Sequence, residues 1–140
     1  MLFRSNNVTG WALRGDSSLT KARLELGRYG EDLAYKRIKR LGYKKIIRNY
    51  RCPLGEVDLI ANDGDTLVFI EIKTRRGKPT GYAKEAVNAR KQRQLSKVAL
   101  SYMKSNNCSD AKARFDVIAI SIKEDKPQIE VVKNAFDLAY

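Results

Sequence analysis

Two runs of strand-forming residues, Glu56 to Ala61 and Thr66 to Thr74, are separated only by Asn62-Asp63-Gly64-Asp65. Asp-Gly supplies the positive φ angles that a tight hairpin turn demands, so the segment predicts an antiparallel hairpin closed by Asp63-Gly64. Strand side chains alternate between faces. A two-residue turn at that point pairs Ile60 with Leu67, Asp58 with Phe69 and Glu56 with Glu71. Glu56, Asp58 and Ile60 then share a face with Leu67, Phe69, Glu71 and Lys73. That face is apolar toward the turn and carries three carboxylates and one lysine away from it. Opposed like charges destabilise a sheet, and Ile70 and Ile72 predict that the other face is covered too. A bound divalent cation would offset the repulsion. The bland alternative is an exposed Glu-Lys face at a strand edge.

The rest of the chain supplies a frame for this hairpin. Leu26, Gly30, Leu33, Ala34, Arg37, Ile38 and Leu41 fall at helical spacings, which predicts a helix over 19–41 stopped by Gly42. Tyr43 to Tyr50 reads as a strand, and Cys52-Pro53-Leu54-Gly55 as a break. A polar loop from Arg75 to Gly81 leads to a second long helix over 82–104. Strands over 114–122 and 128–133 and a final helical turn complete the order α-β-β-β-α-β-β, an α/β sheet with helices packed on it. Residues 1–18 read as a loose tail, with Trp11 a candidate for docking, and 19–140 as one domain.

Charge bounds the partners. The 140 residues hold 28 Lys and Arg against 16 Asp and Glu, a formal net charge of +12, which attracts polyanions and nucleic acid first among them. No basic amphipathic helix with an aromatic face points to a membrane surface, and no apolar run is long enough to span one. The start of the chain lacks a secretory pattern. Two cysteines, Cys52 and Cys108, make neither a disulfide framework nor a zinc motif, so a reduced cytoplasm is the expected setting. Homodimerisation is left open.

Histidine is absent, which excludes Ser-His-Asp and Cys-His catalysis and His-ligated zinc or iron. A metal site here must use oxygen ligands, which suit Mg²⁺ or Mn²⁺. Glu31 lies on or beside the core-facing stripe of the first helix, where an acid should be paired, sit at the helix end or act as a ligand. Gly27 and Gly30 flank it, and each costs about 1 kcal/mol against Ala inside a helix. Close approach of the helix backbone to a neighbour would explain that cost. In the second helix Arg90, Lys91 and Gln94 interrupt the apolar stripe and are candidates to face the acids or a phosphate. Arg75, Arg76 and Lys78 follow Lys73 and are candidates to hold a nucleic-acid backbone. Arg114 and Asp116 share a strand face and read as a structural ion pair.

Gly55-Glu56-Val57-Asp58-Leu59-Ile60-Ala61, followed by Val68-Phe69-Ile70-Glu71-Ile72-Lys73-Thr74-Arg75, resembles the signature of the YraN-like family of small bacterial proteins. The likeness runs from Gly27-Arg28-Tyr29-Gly30-Glu31 through Arg114-Phe115-Asp116-Val117 and leaves out the tail. That family resembles the Holliday-junction-resolvase branch of the restriction-endonuclease-like superfamily. The resemblance implies a mixed sheet with core order α-β-β-β-α-β flanked by two long helices. It also implies an acid, a spacer, then acid-x-Lys as the catalytic set: Asp58, Glu71 and Lys73, with Glu31 added to the metal site. The implied activity is Mg²⁺- or Mn²⁺-dependent phosphodiester hydrolysis in structured or branched DNA. In it Asp58, Glu71 and Glu31 hold metal, Lys73 orients water, and Glu56, Lys91 and Gln94 support. The competing readings are a nucleic-acid-binding module of the same fold without turnover, and a structural protein that meets an acidic partner.

Overall fold

A computed structural model describes residues 17–77, 79 and 81–139. The expected tail up to residue 16, with Trp11, and Lys78 lie outside the described residues. Helix α1 spans Ser17–Arg40, strand β1 Lys44–Cys52, β2 Gly55–Asp63 and β3 Thr66–Arg76. A short 3₁₀ turn, Ala83–Glu85, precedes α2, Ala89–Ser105, and strands β4, Lys112–Lys123, and β5, Lys126–Phe136, close the fold. The five strands lie in the order β1-β2-β3-β4-β5. Only β3 and β4 run parallel, joined across α2, because parallel neighbours need a long crossover. This mixed sheet between two helices is a restriction-endonuclease-like arrangement, as the resemblance implies.

Each sheet face has its own core. Ile60, Leu67, Phe69, Val117 and Ala119 pack with Leu95, Val98, Ala99 and Met103 of α2. Leu59, Ala61, Val68, Ile70, Ile118 and Ile120 pack on the other face with Ala34 and Ile38 of α1. The helix expected from residue 19 begins two residues earlier. It ends as expected: the Gly42 amide donates to the Lys39 carbonyl and the Tyr43 amide to that of Ile38, with Gly42 at φ +95°. Leu41, expected on the buried stripe, is 52% exposed because it sits in the turn beyond the helix end.

Three other expectations are corrected. The second helix does not run from Tyr82. Asn88 interrupts it in extended backbone and caps α2, its side chain accepting from the Lys91 amide. Residues 137–139 form no helical turn, and the Ala139 amide instead donates to Ser96 Oγ on α2. The β2–β3 register differs by two residues from the expected one, pairing Asp63 with Thr66, Asn62 with Leu67 and Ile60 with Phe69. The turn residues are thus Gly64 and Asp65, and only Gly64 takes a left-handed φ, +62°. Glycine at the first central position marks a II′-like turn rather than the I′ turn expected from Asp63-Gly64.

Candidate active site

The acid pair forms where the sheet comes apart. The β2–β3 ladder runs from the hairpin turn to the Leu59–Ile70 pair. Beyond it the Asp58 carboxylate accepts the Ile72 amide at 2.8 Å, a side chain taking the place of a strand carbonyl. Val57 and Ile60 both pack on the α2 side while Leu59 and Ala61 pack on the α1 side. The regular alternation expected across Glu56, Asp58 and Ile60 therefore breaks at Asp58. Beside it, β1 carries a left-handed residue, Asn49, at φ +55°.

The register sets Asp58 opposite Glu71, one step past the Leu59–Ile70 pair. The two carboxyl groups lie within hydrogen-bonding reach of each other, and Glu71 is 4% exposed. Burial first, and then the Glu71 charge, push the Asp58 carboxyl up to about 8, with Glu31 adding a smaller push in the same direction. Glu71 meets two ammonium groups on the same oxygen: Lys73 Nζ at 3.4 Å and Lys91 Nζ at 3.7 Å from Oε2. Lys73 comes from the same face of β3, two residues on, and Lys91 from the first turn of α2, which holds no acidic residue. Of Arg90, Lys91 and Gln94, Lys91 is the one whose ammonium stands beside Glu71.

Other expected members stand elsewhere. Glu56 does not oppose Glu71; it pairs with Arg51 of β1 at 3.3 Å, a consequence of the shifted register. Gln94 stands against Gly55 at the start of β2, where an added Cβ would lie 2.8 Å from its Nε2. Glu31 is near enough to act on Asp58, but among the described residues no group of three or more acids or cysteines is assembled as a ready metal site. Arg75 Nη1 donates to the Thr74 carbonyl, and Arg76 pairs with Asp125 at 3.6 Å in open solvent. Arg90 is exposed at the start of α2.

Tyr82 carries no signal of a role in the sequence. Its hydroxyl lies 2.8 Å from the Lys73 carbonyl and 2.9 Å from that of Ile120, tying the parallel strands together behind the site. Burial raises its pKa. With Lys73, Arg75, Glu85 and Ala86 it lines a pocket of about 180 Å³. Nothing in its spacing after Gly81 announces that role.

Arg114 and Asp116 form the expected ion pair, 2.9 Å from Nε to Oδ1, and more besides. Arg114 also binds Asp63 at 2.7 Å, while Asp116, 1% exposed, accepts from Tyr43 Oη and the Asn134 amide. This network lies on the α1 side of the sheet, toward the hairpin turn. Its hydrogen bonds hold Asp63 below the usual carboxylate range and Arg114 above its usual range, while burial and Asp116 push Tyr43 up to about 12.

A family model described as "Uncharacterised protein family UPF0102" matches residues 30–120. The chain belongs to the UPF0102 family. A UPF0102 protein of Geobacter sulfurreducens is 53% identical over 116 residues, 82% of this chain and 91% of the relative. One from Syntrophus aciditrophicus is 44% identical over 84% of this chain and 92% of its own length, and one from Caldicellulosiruptor saccharolyticus 43% over 80% and 97%. The matched UPF0102 stretch contains Gly30, Glu31, Asp58, Glu71, Lys73 and Lys91. Among the described residues no helix is long and apolar enough to cross a membrane.

Proposed function

We propose that this UPF0102 protein is a divalent-cation-dependent nuclease that hydrolyses phosphodiester bonds in structured or branched DNA. The observation that carries the reading is the buried Asp58–Glu71 pair at the break in the sheet, with Lys73 and Lys91 on one Glu71 oxygen. Two carboxylates pressed together are costly without positive charge nearby. The donor set is all oxygen and fits a hard cation, Mg²⁺ or Mn²⁺, held by Asp58 and Glu71 with Glu31 as a further ligand. When bound, such a cation supplies Lewis-acid activation of a phosphodiester and of water.

The chain's own residues do the rest. Asp58 is braced by the Ile72 amide, so its carboxylate is oriented before any ligand arrives. Lys73 is 27% exposed in its side chain, tied to Glu71 at one side and open to the neighbouring pocket at the other. From there its ammonium holds a water in line with the scissile phosphate and steadies the charge that develops on the phosphate. Arg75, on the wall of the same pocket, and Arg90 take flanking phosphates, and the +12 net charge draws the polyanion in. Lys78 belongs to the same proposed backbone contacts.

One observation favours the second reading, a nucleic-acid-binding module of the same fold without turnover: no three acids are preassembled among the described residues. Incubation with branched, flapped, single-stranded and duplex substrates, with Mg²⁺, with Mn²⁺ and with chelator, separates the two. Metal-dependent cleavage supports the nuclease. Tight, salt-sensitive binding without cleavage supports the module.

A further inference from the structure

We propose that the close seating of Gly30 on Thr74 is what brings Glu31 to the acid pair, which makes Gly30 a positioning residue for a third cation ligand. The inference rests on the divalent-cation reading above. It starts from a backbone contact. A Cβ built on Gly30 would lie 1.8 Å from Thr74 Oγ1, 2.9 Å from Thr74 Cβ and 3.1 Å from Thr74 Cγ2. Gly27, one turn earlier, meets nothing within 4 Å. A glycine costs a helix interior about 1 kcal/mol against alanine. Packing accounts for that cost at Gly30 and does not at Gly27.

The contact falls at an informative place. α1 is 24 residues long, yet its fully buried stripe, Gly30, Ala34 and Ile38, begins only at Gly30. Thr74 is 8% exposed and stands three residues after Glu71 on β3. The same short stretch of β3 therefore carries Glu71, donates the Ile72 amide to Asp58, and seats the helix one residue before Glu31. All three acids are thus referenced to residues 71–74. An added methyl at Gly30 would overlap Thr74, and because Thr74 is enclosed α1 must draw back from β3 to admit it. Cation–oxygen distances hold within about 0.2 Å, so such a retreat removes Glu31 as a ligand.

The test uses the full chain and thermal unfolding with chelator against millimolar Mn²⁺, with calorimetric titration of Mn²⁺ alone as a second readout. The unmutated protein is expected to gain several degrees with Mn²⁺, and Glu31→Gln to lose a large part of that gain. Gly30→Ala should lose as much of the gain as Glu31→Gln. Gly30→Ala combined with Thr74→Gly, which removes every side-chain atom in the way, should regain it, judged against Thr74→Gly alone. A full Mn²⁺ response in Gly30→Ala, or no recovery in the double variant, overturns the positioning role. A full response in Glu31→Gln overturns it even where Gly30→Ala fails to fold. No response in the unmutated protein removes the cation reading itself, and the positioning role with it.

Discussion

The Asp58 carboxylate accepts the backbone amide of Ile72 at 2.8 Å, one step beyond the last β2–β3 pair. That bond lets the sheet split without orphaning an amide, and it turns an acid on β2 toward an acid on β3. It also separates two functions of one side chain. Asp58→Asn keeps an acceptor for Ile72 and discards the charge, whereas Asp58→Ala discards both. A buried donor left without its partner costs about 1–3 kcal/mol. In chelator at neutral pH, Asp58→Asn should therefore be at least as stable as the parent and Asp58→Ala clearly less stable than Asp58→Asn, by urea unfolding. Both should lose the Mn²⁺-induced stabilisation. An Asn variant less stable than the Ala variant would remove the bracing role.

The pH dependence follows from the same carboxyl. Burial and Glu71 hold Asp58 at about 8 in the folded chain, against 3.8 as the ordinary value. A folded pKa above the unfolded one means that ionisation weakens the native state. This contribution is complete below about pH 4 and is lost as pH rises toward 8. In chelator the stability difference between parent and Asp58→Asn should move against the parent across that window, and saturating Mg²⁺ should suppress the change. A difference that stays flat from pH 4 to 9 would contradict the account.

The Arg114 network is a stability element. Arg114→Ala strands the Asp116 carboxylate, 1% exposed, without its guanidinium partner. Breaking a buried pair from one side costs about 3–5 kcal/mol. Denaturant titration should show a loss of that order, with the Mn²⁺ response intact in whatever fraction remains folded. A loss under 1 kcal/mol would mean that solvent reaches Asp116.

Lys73 and Lys91 share one Glu71 oxygen but differ in what lies beyond it. Lys91→Ala should raise KM while leaving turnover within about tenfold of the parent, and should not weaken the response to metal, because it removes a positive charge, like the cation's own, from beside the Glu71 carboxylate. Lys73→Ala should remove turnover and leave binding nearly intact, because the other basic residues supply most of the phosphate attraction. Arg75→Ala should weaken binding and retain cleavage at saturating substrate. Kinetics and salt-dependent binding on the three variants check this division.

The legibility of these features in the sequence was uneven, for physical reasons. Apolar alternation in β3 correctly separated Phe69 and Glu71 from Ile70 and Ile72, because both faces of that strand are buried. Helical spacing placed Ala34 and Ile38 on one buried stripe. The register failed by two residues because Asp63 can serve either as a turn residue or as the last strand residue. Its ion pair with Arg114, distant in sequence, accompanies the second choice. Glu56 was misplaced by that slip, while the same slip sets Asp58 opposite Glu71, one step past the Leu59–Ile70 pair. The stop at Asn88 was masked by Ala83, Ala86 and Val87, which continue the helical spacing without continuing the helix. Tyr82 gave no sign, because a hydroxyl bridging two carbonyls depends on strands paired far apart in the chain.

The most direct measurement is strand cleavage by the purified full chain on a panel of branched, flapped, single-stranded and duplex DNA, run with Mg²⁺, with Mn²⁺ and with chelator. The account predicts cleavage of at least one structured substrate with metal and none with chelator. It also predicts loss of that cleavage in Asp58→Asn, Glu71→Gln and Lys73→Ala proteins that remain folded and bind the same DNA. Cleavage by folded Lys73→Ala at the parent's rate, or tight binding by the parent with no cleavage of any substrate under either metal, would contradict it.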